Sequence, residues 1–438
     1  MEIIGIIGLL LAIAVLIFGA YKGVGALPLT LGAGLIVVLS NGMPFWQSYA
    51  EFYMGGYVNY WKSYFLIFVF SALYARVMEE TGSVLSIAYK FIDWFGKNNA
   101  MLIVLLTTSV LTYGGVSLFV VIFAIGPIAM LLFKEADIAR RHIIAPLLTG
   151  YGTFTMTSLP GSPQLTNVIP TKYLGTSLTA APVLGIIASV IIFVLCYGYC
   201  KYVEKKSKAA GEHFTFPANI DQSKYEVDRS NLPPALTSFI PLVTIVAMIV
   251  FLRNIVADST LIVVMAMGTA TALAIILNYG KLKNFKNIFN QGMGSAIGAI
   301  AGPCAIVAFG VLVKNATAFQ NIVDYVLSLQ MNTYVLGIVG TAIISGVTGS
   351  SSGGLTITLE TLAEKFVASG VNLGILHRLI SIAAGTLDSL PHSTSFFLVF
   401  DYLGVTHKES YFHAFIISVI VPIITVTVCA IGVIALGL

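Results

Sequence analysis

The chain has 438 residues, 57% hydrophobic and only 10% charged, with a formal net charge of +4 and a mean hydropathy of +0.93. Soluble globular domains carry about 25% charged residues, so this composition excludes that class and fits a polytopic membrane protein. The small positive balance calls for no nucleic-acid partner, because the basic residues stand mostly in loops beside apolar runs.

A bilayer crossing takes about 20 apolar residues. Residues 3–20 and 25–39 read as the first two spans, and Met1-Glu2 offers no basic region that would mark the first as a cleaved signal. The aromatic-rich loop 40–59 suits the membrane–water interface. Residues 60–78 form a third span, and residues 84–95 are an amphipathic piece expected in or near the interface. Residues 99–133 are too long for one crossing and are broken at Thr112-Tyr113-Gly114-Gly115-Val116-Ser117, which predicts a re-entrant helical hairpin. Residues 143–170 contain the break Thr157-Ser158-Leu159-Pro160-Gly161-Ser162-Pro163-Gln164, and residues 179–199 close the half.

After the polar segment 201–232 the order repeats, with spans at 236–251, 260–277 and 294–313. A second overlong run, 334–368, is broken by Gly349-Ser350-Ser351-Ser352-Gly353-Gly354. Residues 378–402 then carry Asp388-Ser389-Leu390-Pro391-His392-Ser393-Thr394-Ser395, and residues 412–436 form the last span. The expected fold is therefore all-α and polytopic: two inverted repeats, 1–200 and 233–438, joined by a cytoplasmic linker at 201–232. Each repeat has five transmembrane helices, one of them discontinuous, and one re-entrant hairpin. The basic clusters at 201–208 and 281–286 are expected inside the cell. Counting spans from them puts Arg253 and both termini outside.

Irregular backbone at membrane depth is tolerated where it is buried in protein or lines a cavity. One such break per half points to the central site of a secondary transporter. Ordinary proline kinks would not call for the hydroxyl, amide and ionisable side chains around both prolines. Broken helices present N–H groups and the positive end of the helix dipole, which suits a carboxylate. The candidate substrate-binding residues at the hairpin tips are Gly114, Gly115 and Ser117, then Ser350, Ser351, Ser352, Gly353, Gly354 and Thr356. Thr155, Ser162, Gln164 and Asn167 are candidates to read substrate hydroxyls, and Ser389, Ser393 and Thr394 flank the second proline.

An ionisable group at membrane depth is costly and commonly marks an ion or proton path. Asp388 and His392 stand four apart around Pro391 and are the main proton-coupling candidates, with Glu360 a further one. His377 and Arg378 are expected at the outer mouth, attracting anions. The four cysteines, Cys196, Cys200, Cys304 and Cys429, have no metal or disulfide spacing and read as packing residues. No cofactor is expected: the partners are a small organic anion, protons and membrane lipid, with sodium coupling and a homodimer left open. An embedded enzyme is the reading from another class, and it lacks a metal cluster or a nucleophile–base pair.

Several stretches together resemble the GntP family of gluconate-type permeases, within the larger ion-transporter superfamily. They are Tyr113-Gly114-Gly115-Val116-Ser117-Leu118-Phe119-Val120, Thr155-Met156-Thr157-Ser158-Leu159-Pro160-Gly161-Ser162-Pro163-Gln164, the run 349–354, Asp388-Ser389-Leu390-Pro391-His392 and Thr406-His407-Lys408-Glu409-Ser410-Tyr411. The resemblance implies a bacterial inner-membrane symporter that takes up gluconate or a related hydroxy-carboxylate, such as 3-hydroxybutyrate, with protons. It also implies that Thr157 and Ser158 join the other small and polar residues at the breaks as site residues. One departure stands out: gluconate-type members typically continue Leu-Pro-His with Asn-Gly-Ala, where this chain has Ser393-Thr394-Ser395. That exchange alters the donors and the room beside the site, so a smaller or differently substituted carboxylate stands as an equal expectation.

Overall fold

The apolar runs all fold as helices in the computed structural model, which describes residues 2–437 apart from 114–117, 163, 218–228, 253–254, 257–258, 283 and 329–330. The first half opens with α1 (Glu2–Tyr21) and α2 (Ala26–Ser40), a short turn α3 (Phe45–Gln47), then α4 (Met54–Glu80) and the amphipathic α5 (Ser83–Phe95). It continues with α6 (Ala100–Tyr113), α7 (Leu118–Glu135), α8 (Ile144–Tyr151), α9 (Phe154–Thr157), α10 (Leu165–Leu174) and α11 (Pro182–Ala209). The second half contains α12 (Ala235–Leu252), α13 (Ser259–Leu277), α14 (Phe285–Lys314), α15 (Thr317–Ser328), α16 (Thr333–Thr348), α17 (Ser351–Ala368), α18 (Leu373–Leu387) and α19 (Thr394–Leu403). It ends with α20 (His407–Phe415) and α21 (Val421–Ala435), which run on from each other through a π-helical turn, Ile416–Ile420.

Six of these helical stretches are long and apolar enough to cross a membrane, so the protein is an all-α, multi-pass membrane protein. Their outward faces carry large apolar side chains that water would not tolerate in such density. On α11, Val183, Ile186, Val190 and Val194 are each at least half exposed. A surface of this kind belongs against lipid tails.

Several element bounds differ from the sequence reading, among them the start of α14 at Phe285, and three differences bear on the architecture. The third span starts earlier, at Met54, because the π-helical turn Ser48–Tyr53 feeds directly into α4. The helix ending the first half runs on through Lys201–Lys208 to Ala209, so the polar segment begins as helix and not as linker. Glu204 there is buried, and it pairs with Lys201 at 3.0 Å and Lys208 at 2.9 Å on neighbouring turns, a spacing that favours helix. The third difference is α15, an amphipathic helix in a stretch that had no predicted element. Arg253, used above to count spans, lies outside the described residues.

At the centre, α4 and α14 pack along each other. Gly56 lets them meet closely, since a Cβ there would come within 2.9 Å of the Val311 side chain and 3.0 Å of the Ala308 Cα. The hairpin and broken-helix elements pack on one another and on this pair: α6 on α8, α16 on α18 and α17, α10 on both α17 and α18, α7 on α4 and α19 on α14. The breaks of the two halves thereby face one another.

Candidate functional site

Where the breaks meet, a cavity of about 200 Å³ is lined by Tyr60, Tyr64, Tyr151, Met156, Gln164, Leu165, Thr166, Val307, Gly349, Ser350, Ser351, Ser352, Asp388, Ser393 and Ser395. Larger crevices lie elsewhere: one between α5, α6 and α12 and one between α11, α18 and α21 are lined almost wholly by apolar side chains, and another carries Asp401, Thr406 and His407. The smaller cavity is set apart by five serines, three tyrosines and Asp388 on its wall.

Three helices begin on its wall. Their N-cap residues are Gln164 for α10, Ser350 for α17 and Ser393 for α19, and all three line the cavity. The chain enters each helix in an extended conformation, with ψ of 149°, 120° and 139° respectively. Ser350 caps its own helix by accepting the Gly353 N–H at 3.2 Å, whereas the side chains of Gln164 and Ser393 do not cap theirs. The positive ends of three helix dipoles thus converge on one small space. Among the described residues, no lysine, arginine or histidine lines it.

Asp388 is the acidic group on the wall. It follows the last residue of α18 and is 9% exposed; its carboxylate accepts hydrogen bonds from Ser389, at 3.0 Å, and from Ser351 across the cavity rim. His392 is also buried, but its Nε2 lies 3.0 Å from the Gly346 carbonyl and its ring packs against Gly349. The two residues are therefore tied to different partners: Asp388 opens on the cavity, and His392 braces the end of α16. Gly349 terminates α16 at φ +60°, a conformation that favours glycine.

The remaining candidates are dispersed. Ser351 and Ser352 line the cavity with Ser350. Gly354 serves packing, because a Cβ there would fall 2.1 Å from the Ser345 Oγ, and Thr356 bonds back to the Ser352 carbonyl. Ser389 points at Asp388. Among the described residues of the first break, 157–164, Gln164 is the one that lines the cavity, and its amide donates to the Thr112 carbonyl at 2.8 Å. Thr155 bonds the Gly150 carbonyl, Thr157 the Thr153 carbonyl, Ser158 the Ser189 hydroxyl and Ser162 the Thr155 carbonyl. Asn167 is fully buried, donating to the Ser162 and Leu178 carbonyls and accepting from Arg378 at 3.0 Å, with His377 Nε2 at 2.9 Å from the same oxygen. Its amide is saturated within the protein. Glu360 is half exposed on α17, near Lys314 at 3.9 Å and Tyr173 at 3.4 Å, away from the cavity. Gly114, Gly115 and Ser117 lie outside the described residues, as does the side chain of Thr394.

One placement corrects the sequence reading. His377 and Arg378 are not at an outer mouth; both are 0% exposed. The guanidinium is enclosed by the carbonyls of Thr157, Leu178 and Ala180 and the Asn167 side chain. Carbonyl oxygens of a broken helix can take a cation out of water when no carboxylate is at hand.

Sequence reasoning missed the tyrosine wall. Tyr60 and Tyr64 lie one helical turn apart on α4 with ring centroids 4.5 Å from each other, and Tyr151 reaches Ser395. Two tyrosines at an i, i+4 spacing at the start of the third span, with Lys62 and Ser63 between them, are the signal that was there to read.

The GntP family permease profile matches residues 2–437. A Bacillus subtilis (strain 168) protein described as the uncharacterized transporter YxjC is 31% identical, covering 94% of this chain and 95% of that one. A Haemophilus influenzae protein described as an uncharacterized transporter is 24% identical over 76% of each chain. A crystal structure of the Alcanivorax borkumensis YdaH transporter aligns over 98% of both chains with a TM-score of 0.48 and 13% identity. With a family match that spans nearly its whole length, the chain belongs to the GntP permeases: it is a multi-pass secondary transporter of small solutes, of the bacterial inner-membrane type, and not an enzyme.

Proposed function

We propose that this permease carries a small organic hydroxy-carboxylate, of the gluconate or 3-hydroxybutyrate type, together with protons. The observation that carries the reading is the meeting of three helix N-termini and one carboxylic acid on a single polar cavity. The N-termini and the hydroxyls of Ser350, Ser351, Ser352, Ser393 and Ser395 favour a carboxylate. Gln164 and the tyrosine hydroxyls are donors for the rest of the molecule. An ionised Asp388, itself only 9% exposed, would repel that carboxylate, so substrate and proton enter together: the protonated acid is neutral and can donate. Sodium coupling is the alternative within the same fold, because Asp388 and the serine hydroxyls are also hard oxygen ligands.

The second part of the proposal is the frame. Repeats 1–200 and 233–438, joined through 201–232, each contain three spans, an amphipathic helix, a re-entrant hairpin and a broken helix before the final span. Equivalent packing pairs support it: α1 with α15 matches α12 with α5, α2 with α14 matches α13 with α4, and α10 with α17 matches α19 with α7. The hairpins and broken helices would move as a body against the α4–α14 core, in an elevator-like exchange between inward and outward access. Both termini are assigned to the outer side on the positive-inside rule.

The test is uptake into proteoliposomes of labelled gluconate, 3-hydroxybutyrate, lactate and dicarboxylates, with proton and sodium gradients imposed in turn. Accumulation of a monocarboxylate on the proton gradient alone is the expected result. A strict sodium requirement would move the coupling to the alternative, and uptake of none of the acids would remove the carboxylate reading.

A further inference from the structure

We propose that Arg378 is a positioning residue for the anion site, holding the first break in place from α18 and lending the cavity a positive charge from behind its wall. The proposal rests on the carboxylate reading above. Its basis is a stripe along one face of α18. His377 and Arg378 grip Asn167, Ser381 donates to the Thr166 carbonyl at 2.8 Å, and Gly385 packs so closely that a Cβ would lie 2.7 Å from the Thr157 methyl. The spacing of these residues places them on successive turns of one helix face. Thr166 and Met156, which line the cavity, are chain neighbours of the gripped residues Asn167 and Thr157. The clamp therefore sets where the N-terminus of α10 points.

The charge is the second half of the argument. Every acceptor around the guanidinium is neutral: three backbone carbonyls and an amide oxygen. Among the described residues, no carboxylate lies within ion-pair distance of it. Asp388 is ten residues further on, just past the end of α18, roughly 15 Å away by helix rise. A buried cation balanced only by dipoles leaves a net positive field in its surroundings, and in a low-dielectric interior that field extends to the cavity wall. An anion arriving there completes the balance.

The experiment compares Arg378→Gln and Arg378→Lys with the wild type in proteoliposomes, using labelled gluconate and 3-hydroxybutyrate and reading KM and Vmax separately. Variants are first matched to the wild type for size-exclusion profile and melting temperature. Arg378→Gln is expected to raise KM by about tenfold, a change worth one decade of affinity, with a smaller effect on Vmax. Arg378→Lys, which keeps the charge, is expected to recover most of that loss. An unchanged KM in a folded Arg378→Gln protein overturns the proposal, and so does a lysine variant as impaired as the glutamine one. If Arg378→Gln does not fold, Asn167→Asp places a neutralising carboxylate against the intact guanidinium, and the same rise in KM is expected. A normal KM there also overturns the proposal. Wild-type protein that transports neither acid sinks the carboxylate reading and this inference together, whereas normal wild-type transport with unaffected variants sinks the inference alone.

Discussion

Asp388 and Gly354 show how differently two residues of the breaks contribute. Asp388 sits at the cavity with its carboxylate shared between Ser389 and Ser351. The isosteric Asp388→Asn keeps most of that geometry and removes the exchangeable proton. It is expected to abolish concentrative uptake and flatten its pH dependence while leaving exchange of labelled for unlabelled substrate measurable. Full accumulation with an unchanged pH profile would show that the proton travels elsewhere. Gly354 acts through volume. A methyl group there meets both the Ser345 Oγ at 2.1 Å and the Ser345 Cα at 2.4 Å, so no rotamer change relieves it. Gly354→Ala is expected to lower stability by about 1–3 kcal/mol, the usual range for overpacking, read as a lower melting temperature in detergent. A melting temperature equal to that of the wild type would mean the α16–α17 contact is looser than described.

At the scale of elements, the breaks were legible in the sequence because proline, glycine and hydroxyl residues inside an apolar run leave few alternatives. The long spans were legible for the same reason. What those polar groups bond to was not, because partner choice is tertiary: Thr157, Ser158 and Asn167 read as ligand donors but spend their hydrogen bonds on Thr153, Ser189 and the Arg378 clamp. Charge misled in the same way, since His377 and Arg378 read as residues of an outer mouth until the carbonyls of Thr157 in the first break and of Ala180 before α11 appear around the guanidinium. The amphipathic α15 escaped notice because its polar face interrupts the apolar pattern on which spans are counted.

A second cluster joins elements near the predicted inner face. His142, just before α8, lies 3.1 Å from His413 on α20 and 3.2 Å from Glu212 beyond α11, and Glu212 also pairs with Arg141. Burial pushes the His142 imidazole below its ordinary value of 6.5, with Glu212 opposing and Arg141 reinforcing the shift. The folded protein then binds this proton less readily than the unfolded chain. Stability is present at neutral pH and is lost as pH falls through about 6.5 and below. The melting temperature is expected to drop between about pH 7 and about pH 5, and His142→Gln is expected to shallow that slope. Identical slopes in the two proteins would remove His142 from the account.

For the whole molecule, the arrangement divides the work between parts. The α4–α14 pair contributes Tyr60, Tyr64 and Val307 to the cavity, while the hairpin and broken-helix elements contribute the N-termini, the serines and Asp388. In the proposed exchange, movement of one group against the other would carry a bound molecule with the N-termini, the serines and Asp388 while its contacts to Tyr60 and Tyr64 change. The central claim is that carboxylate and proton cross together, and lumenal pH tests it most directly. Proteoliposomes holding a trapped pH-sensitive dye receive external 3-hydroxybutyrate, or gluconate, with no imposed pH gradient, beside protein-free vesicles that report passive entry of the acid. The account predicts faster lumenal acidification with the wild-type protein than with either protein-free vesicles or Asp388→Asn. Entry of the labelled acid through the wild-type protein, with lumenal pH following the protein-free control, would contradict it.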